Sequence, residues 1–407
     1  MPTTKPRSAS SPNAKKAPSK TGEENILVLQ GGGALGAYQA GVFEGLSVDY
    51  PDLTWVAGIS IGAINAALIV GNPPLERVKR LREFWELLTS AVSSPMAGFV
   101  PSANGSINSA IKGREALNSV SASQSVLFGV PGFFSPRLIP APLQQPGTLE
   151  AISYYDTTPM RRTLDKLVDF DRINAGPMRL SVGAVNVRTG NFQYFDSAKQ
   201  KLDARHIMAS AALPPGFAPV EIDGEFYWDG GLVSNTPLQY VLDQPGQKRR
   251  VVFQVDLFAA RGDLPATLAE VTEREKDIRF SSRTRQVTTG ELDRQMMAQA
   301  AQRLIARLPP AFRNDPDVLA LAATRCESAV DVVHLIYRTK HYESQSKDYE
   351  FSRLSMQEHW DSGLADTEHT LRDPSWVKRV QTETGVRVFD LCLGGPQTPT
   401  RPKKVAP

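Results

Sequence analysis

A serine within a glycine-rich turn has the surroundings of a nucleophile. Gly58, Ser60 and Gly62 form a G-x-S-x-G sequence between two apolar runs, residues 55–59 and 63–70. A nucleophilic serine needs a sharp, strained turn between a strand and a helix, and flanking glycines avoid Cβ clashes there. A helix that begins after the serine directs free N–H groups toward a developing anion. The alternative for this pentapeptide is a tight turn without chemistry.

An earlier glycine-rich run, residues 31–36, also ends a predicted strand and opens a predicted helix. Dinucleotide binding requires an acidic residue at the end of the next strand, and a P-loop requires Gly-Lys-Ser/Thr; both are absent. The third interpretation is an oxyanion hole formed by Gly31, Gly32 and Gly33. The N–H groups of the last two would donate to the oxyanion that forms when Ser60 attacks a carbonyl. This requires the first two strands to lie side by side.

Asp229 is the best-placed base for the serine proton. It follows the apolar residues 225–228 and precedes Gly230 and Gly231, which let the backbone approach another loop closely. A carboxylate at this position that reaches Ser60 would form a Ser-Asp dyad. The alternative is an Asp-Gly turn with a solvated carboxylate.

The histidines define a second enzyme hypothesis, a Ser-His-Asp esterase of the α/β-hydrolase type. None of them lies in a compelling loop, and surface or structural roles are the common ones for such residues. The five are His206, His334, His341, His359 and His369. In addition, only one strand is predicted before the strand that leads into Ser60, which is fewer than the α/β-hydrolase fold would have there. A third hypothesis is a lipid- or nucleotide-binding module with an inert glycine loop.

Alternating strands and helices must position these loops. The runs at 26–30 and 55–59 predict strands buried on both faces, and helices are expected at about 34–48, 63–70 and 75–89. Strand, helix, strand and helix with short links predict an α/β fold with a parallel sheet.

The rest of the chain divides by composition. Residues 91–150 are rich in Ser, Gly, Pro and Ala, and we interpret them as a lid or acyl-binding wall, with a variable surface insertion as the alternative. Residues 1–25 and 397–407 are expected to be tails, and 261–396 a mainly helical extension on a domain at 26–260. The later predicted elements are a hairpin at 179–187 and 191–196, a helix at 203–212, a strand pair around Asp223-Gly224, a strand at 251–258, helices over 267–308 and an edge strand at 330–337.

Charge and cysteine content limit the expected classes of binding partner and the expected cellular compartment. The net charge of +3 equals the excess in residues 1–25, which hold five basic and two acidic residues. No basic stripe lies on a folded element, so we expect no nucleic-acid partner. The basic tails either contact anionic lipid or are simply solvated. Two cysteines form no disulfide framework and fit a reducing compartment.

No membrane span or secretory signal is expected. The uncharged run at 53–75 is broken by glycines and turn residues, so it fits a buried strand and helix better than a transmembrane helix. The N-terminus has no apolar h-region. We therefore expect a cytoplasmic protein for which peripheral membrane contact is an option, and the oligomeric state is left open.

Together the three motifs resemble those of the patatin-like phospholipase family. The family order is a glycine-rich oxyanion loop, then G-x-S-x-G-A-x-N, then Asp-Gly-Gly or Asp-Gly-Ala. This chain has GGGALGAYQAG at 31–41, GISIGAINA at 58–66 and DGG at 229–231, within a resemblance that covers about residues 24–258. It implies a three-layer α/β/α fold with a mainly parallel central sheet, and hydrolysis of acyl esters of a lipid substrate. It also implies a Ser60–Asp229 dyad that needs no histidine, metal or cofactor.

The resemblance also gives supporting roles to residues within the motifs. Asn65 would hold the serine turn in place, and the glycines would allow the close approaches: Gly36, Gly58, Gly62, Gly230 and Gly231. One departure is Leu35, where many members carry Arg or Lys. That departure weakens the expectation of a phospholipid more than that of an ester, so short polyesters or other hydroxyacid oligomers stay among the candidate substrates.

Overall fold

The computed structural model describes residues 23–91, 107–244, 249–312, 314–323, 329–340, 342–343, 346–380 and 385–392. The strands within these residues are β1 (Glu24–Leu29), β2 (Leu53–Gly58), β3 (Ser135–Pro136), β4 (Tyr155–Asp156), β5 (Arg179–Asn186), β6 (Phe192–Asp196), β7 (Val220–Ile222), β8 (Glu225–Asp229), β9 (Arg249–Asp256), β10 (Ala329–Ile336) and β11 (Gly385–Asp390). The α-helices are α1 (Gly36–Asp49), α2 (Ile61–Val70), α3 (Arg77–Leu88), α4 (Ile107–Phe128), α5 (Thr158–Leu167), α6 (Phe170–Ala175), α7 (Ala204–Ser210), α8 (Leu238–Asp243), α9 (Leu268–Ile305), α10 (Pro316–Ala323), α11 (Arg353–Arg372) and α12 (Pro374–Val377).

One large sheet organises the fold. Its order is β11-β10-β9-β1-β2-β5-β8-β7, and β6 also pairs with β5. The strands from β11 to β5 run parallel, whereas β6, β7 and β8 are antiparallel to their neighbours. The predicted α/β fold with a mainly parallel central sheet is confirmed. β1 and β2 are direct neighbours, with Leu29 opposite Gly58, so their carboxyl ends converge.

Both faces of the sheet are covered. Along β1, Leu27 and Leu29 face one hydrophobic core, and Ile26 and Val28 face a second. The first core also contains apolar side chains of α1, α2, α3 and α11, and the second contains those of α8, including Leu238. Alternate side chains of a strand point to opposite faces, which explains why strands covered on both sides appear as continuous apolar runs.

Several elements beyond the first two strands match their predictions. The hairpin is β5 and β6, and the pair around Asp223-Gly224 is β7 and β8. Asp223 and Gly224 have φ of 52° and 83°, as a tight hairpin turn requires. The predicted strand at 251–258 is β9, and the charged helical region is mostly the single helix α9. No helix among the residues described above is long and apolar enough to cross a membrane.

Two regions differ from the sequence-based expectation. The strand predicted at 330–337 is present as β10, but its predicted edge position is wrong. β10 lies between β9 and β11 and is buried on both faces. Its weak alternation reflects that double burial. Residues 261–396 are largely helical but also contribute β10 and β11 to the central sheet. Within 91–150, where no regular element was predicted, α4 occupies Ile107–Phe128 with a Ser- and Ala-rich sequence that lacks a clear apolar face.

Buried charges attach the C-terminal region to the rest of the fold. The Lys347 ammonium donates to Asp277 Oδ1 at 2.9 Å, Glu273 Oε1 at 3.0 Å and Thr339 Oγ1 at 2.7 Å. Its side chain is 1% exposed. The acidic partners lie on α9 and the lysine follows β10, so the three charges join two elements. Nearby, α11 packs along α1, where Tyr38 Oη donates to Asp366 at 2.7 Å.

Lys347→Met should destabilise the protein strongly. Removing one partner of a buried ion pair leaves carboxylates without compensation, at a cost of about 3–5 kcal/mol in the free energy of unfolding. Urea unfolding at neutral pH measures this loss. Lys166→Met is the matched control, because the Lys166 side chain is 71% exposed and pairs with Glu83 at the surface. Equal, small effects of both substitutions would contradict the assigned role of Lys347.

Candidate active site

Ser60 lies in a strained turn between β2 and α2. Its φ of 56° and ψ of −124° are rare for a residue with a side chain. Two sets of hydrogen bonds hold this conformation. The Ser60 N–H donates to Ser210 Oγ at 3.1 Å, and that hydroxyl donates to the Gly183 carbonyl at 2.6 Å. The Ile59 N–H donates to the Leu29 carbonyl at 3.1 Å, which fixes the turn against β1.

The glycines on either side of the serine permit backbone packing that no other residue allows. A Cβ on Gly62 would overlap the Leu29 carbonyl, and a Cβ on Gly58 would overlap the Gly62 carbonyl. The G-x-S-x-G spacing thus lets the turn fold back on itself beside β1. Ser60 occupies the N-cap position of α2, so the helix starts directly after this serine.

Asp229 ends β8 beside this turn. It pairs with Ala184 of β5, and its N–H donates to the Ala212 carbonyl at 3.0 Å. The residue is 2% exposed, and its carboxylate accepts the Gly231 N–H at 2.7 Å. Burial raises the Asp229 pKa to about 7, because the charged form loses solvation; hydrogen bonding to the Ser60 side chain and the Gly231 N–H opposes that rise. The carboxylate thus lies next to Ser60.

The glycine loop after β1 lies against the serine. A Cβ on Gly31 would be 3.1 Å from Ser60 Cβ. The Gly31 N–H donates to the Asn235 carbonyl at 3.1 Å, and Asn235 Nδ2 donates back to the Gly31 carbonyl at 2.8 Å. The N–H groups of Gly32 and Gly33 have no hydrogen-bond partner in the part of the chain that is described. Of the three predicted glycines, Gly32 and Gly33 therefore offer free donors.

Asp348, which the sequence gave no reason to select, supports this loop from the C-terminal region. Its carbonyl accepts the Ala34 N–H at 2.7 Å and lies where a Cβ on Gly33 would be. Gly33 has a φ of 56°, so both its conformation and the contact require glycine. Lys276 Nζ is 2.5 Å from Asp348 Oδ1 and ties the segment to α9. No motif marks this residue, because its contribution is a backbone carbonyl.

Asn65 joins the two helices that follow the motif loops. Its Nδ2 donates to the Gly36 carbonyl at 2.9 Å and to Gln39 Oε1 at 3.0 Å, and its Oδ1 accepts Trp85 Nε1 at 3.2 Å. The amide is fully buried and has partners for both of its polar ends. It therefore holds α2 against the start of α1, where the glycine loop ends. Gly230 packs against Gly183 beneath Asp229.

An apolar cavity of about 320 Å³ opens onto these groups. Ser60, Asp229 and the glycine loop form its polar end. Aromatic side chains form much of the remaining wall: Phe133, Phe134, Tyr155, Phe217, Phe258, Phe280, Tyr349 and Phe351. Several of these rings contact one another, for example Phe134 and Phe217 with centroids 5.2 Å apart. Such a chamber is suited to an apolar chain whose reactive group lies at the polar end.

The histidines lie elsewhere. Of those that the structure describes, none lines the cavity. The His206 side chain accepts the backbone N–H of Asp203, the N-cap residue of α7. His359 Nε2 is 2.7 Å from Glu343 Oε1. His334 is buried in β10, where desolvation lowers its pKa to about 4. His341 lies outside the described residues. Within the residues described, no group of three or more His, Cys, Asp or Glu side chains is arranged to hold a metal ion.

Comparison with known proteins agrees with the motif order. A family model described as patatin-like phospholipase matches residues 27–242, and a second, described as patatin phospholipase, matches residues 278–383. No curated protein matches the sequence. Similar solved structures include VipD from Legionella pneumophila, with 15% identity and a TM-score of 0.36 over 86% of this chain and 68% of that chain. Another is the ExoU–SpcU complex from the type III secretion system of Pseudomonas aeruginosa, with 16% identity and a TM-score of 0.30 over 74% and 68%.

Both TM-scores are too low to indicate more than a distant likeness. The family match is different, because the first model alone spans more than half of the 407 residues. It also contains the serine turn, the glycine loop and Asp229. The chain belongs to the patatin-like phospholipase family.

Proposed function

We propose that this chain is a serine lipid acyl hydrolase in which Ser60 is the nucleophile and Asp229 is its base. The observation that carries the proposal is a buried carboxylate, with a pKa of about 7, interacting with a serine held at a strained turn. Family membership implies hydrolysis of ester bonds. A base whose pKa lies near neutral pH is well matched to accept a serine proton.

The first half of the reaction forms an acyl-enzyme. Ser60 Oγ attacks the ester carbonyl while Asp229 takes its proton. The tetrahedral oxyanion accepts hydrogen bonds from the Gly32 and Gly33 N–H groups. Among the described residues, these N–H groups have no protein partner that the oxyanion would first have to displace. The positive end of α2 adds to this stabilisation. When the intermediate collapses, the alcohol leaves with the proton that Asp229 had taken, and the acyl group stays on Ser60.

The second half releases the acid. A water molecule gives its proton to the same carboxylate and attacks the acyl-serine carbonyl, and the same N–H donors hold the oxyanion. Collapse returns the proton to Ser60 and frees the fatty acid. Asp229 thus acts as base and then as acid in each half, which a carboxyl with a pKa near neutral can do.

The cavity indicates an ester with an apolar acyl chain. The aromatic wall would hold the chain and place its carbonyl at Ser60. Leu35 occupies the position where many family members carry Arg or Lys, and it is buried in the core. The glycine loop therefore offers no cation at that position to an anionic head group. We propose phospholipase A-like cleavage of carboxylic esters, with uncharged lipid esters as equally suitable substrates.

The Ser-His-Asp alternative has less support. It requires a histidine beside Ser60, and none of the described histidines lines the cavity. A nucleotide-binding role has less support too, because the chamber is largely aromatic and the motif acid for the ribose is absent.

Ser60→Ala and Asp229→Ala should each lower kcat by at least about 10³-fold, as losses of a nucleophile or its base do. We would measure hydrolysis of a p-nitrophenyl ester length series and of phosphatidylcholine. Exposed Ser119 and Asp165 provide matched controls, as Ser119→Ala and Asp165→Ala. Near-normal turnover by Asp229→Ala would rule out the dyad, and a serine-directed phosphonate that fails to label Ser60 would rule out the nucleophile.

The pH dependence of kcat/KM should show an acid limb with an apparent pKa of about 7. Asp229 must be charged to accept the proton, so activity rises tenfold per pH unit below that value and levels off above it. An uncharged ester assayed from pH 5 to 9 keeps substrate ionisation out of the profile. A profile that stays flat down to pH 5, as the usual aspartate value of 3.8 would give, would contradict the assignment of Asp229 as a buried base.

Asp229→Asn should stabilise the protein at pH 8. The folded state holds the Asp229 proton up to about pH 7 and the unfolded state only up to about 3.8, so wild-type stability falls as pH rises through that window. The neutral amide avoids this cost, which is on the order of a few kcal/mol above pH 7. Thermal melts at pH 8 and 4.5 measure it. If the gain in melting temperature of Asp229→Asn were as large at pH 4.5 as at pH 8, ionisation of Asp229 would not be its cause.

A further inference from the structure

Several exposed apolar side chains lie on the same segments that line the cavity, namely the end of α4, the region of β3 and β4 and the loop after α7. Three of the most exposed are Leu138 at 99%, Phe128 at 76% and Leu127 at 65%. Single exposed apolar residues are ordinary on a protein surface, but a contiguous group marks an interaction site. We define the rim as Val126, Leu127, Phe128, Leu138, Ile139, Tyr154 and Leu213.

Backbone contacts hold the segments of the rim together. Tyr155 Oη donates to the Val126 carbonyl at 2.8 Å, which fastens the end of α4 to β4. The Arg137 N–H donates to the Tyr154 carbonyl at 3.3 Å, and the Tyr154 N–H donates to the Pro215 carbonyl at 3.1 Å. The end of α4, the segment around β3 and β4 and the loop after α7 therefore form one continuous edge.

The rim continues into the cavity. Val126 and Leu213 belong to both, since each lines the cavity and each is 46% exposed. Tyr155 lines the cavity next to the exposed Tyr154. An apolar molecule could thus pass from the outer surface to Ser60 along apolar side chains. A protein seated on the rim would instead close the entrance.

The rim is also poor in charge, although Glu150 and Asp156 lie close in sequence to Tyr154. Arg137 is the single charged residue from 116 to 149, where the average composition of the chain would place about seven. Its guanidinium is occupied, with its Nη2 donating to Ser153 Oγ at 2.8 Å. A surface this poor in charge offers little complement to a charged protein partner or to anionic head groups. It does suit the apolar layer beneath the head groups of a lipid.

We propose that the rim is the surface by which this protein docks on a lipid aggregate, such as a bilayer or micelle. The exposed leucines and Phe128 enter the acyl layer and set the cavity mouth against it. The docking itself is independent of catalysis. Its consequence, transfer of a lipid ester from the aggregate to Ser60, rests on the proposed function.

Vesicle binding tests the rim with catalysis switched off. We would prepare the full chain as Ser60→Ala, add Leu127→Asp and Leu138→Asp together, and measure flotation with vesicles of pure dioleoylphosphatidylcholine. The partition coefficient should fall by at least about tenfold, because two charges replace side chains that enter the apolar layer. Leu75→Asp is the matched control. Leu75 is 96% exposed, lies in the turn before α3 and does not line the cavity, so this substitution should leave partitioning unchanged.

Several outcomes would overturn the proposal. These are a parent protein that does not float with these vesicles, equal losses in the Leu75 and rim variants, and binding that requires phosphatidylglycerol and ignores the rim substitutions. The last result would assign membrane contact to charged segments. Self-association that the rim substitutions abolish, with vesicle binding intact, would assign the rim to a second copy. Thermal melts exclude misfolding. Binding that depends on the rim in a protein that hydrolyses no ester would support docking while refuting the proposed function.

Discussion

The site depends on the parallel pairing of β1 with β2. Because neighbouring parallel strands end at the same edge of the sheet, the glycine loop after β1 and the serine turn after β2 meet there. The Ile59 N–H donates to the Leu29 carbonyl, and Gly62 packs on that same carbonyl. The strain at Ser60 persists because this packing over-determines it. The free N–H groups of the glycine loop and the N-cap of α2 meet at that junction, whereas Asp229 and the cavity walls come from other elements.

The burial of Asp229 at this junction lowers the stability of the folded state. A carboxylate removed from water is disfavoured in its charged form, and only two hydrogen bonds oppose that effect. The same burial moves its pKa to where a base can operate at neutral pH. In the proposed function, structural stability is therefore reduced at a position where the chemistry benefits, a relation common at active sites. Asp229 lies on the antiparallel strand β8, whereas Ser60 follows β2 in the parallel part of the sheet.

The remaining walls come from parts of the chain far apart in sequence. The region from α4 to β4 contributes Phe133, Phe134 and Tyr155, and the C-terminal region contributes Phe280, Tyr349 and Phe351. The C-terminal region also adds two strands to the sheet and supports the glycine loop through the Asp348 carbonyl. Lys347, buried among carboxylates of α9, anchors the segment that makes this contact. This region thus shares one sheet and one cavity wall with the rest of the fold.

The sequence by itself determined the local parts of this protein. Buried strands, the G-x-S-x-G turn, the glycine loop, Asp229 and the hairpins are encoded by short-range patterns of glycine and apolar residues, which act through backbone sterics and burial. Tertiary structure decided what depends on distant residues. β10 is an inner strand only because β11 pairs with it. Gly33 is supported by a backbone carbonyl, which a residue of any type could supply. The helix α4 was not predicted, because its sequence lacks a distinct apolar face. The pKa of Asp229 likewise depends on burial, which arises only when separate elements close around it.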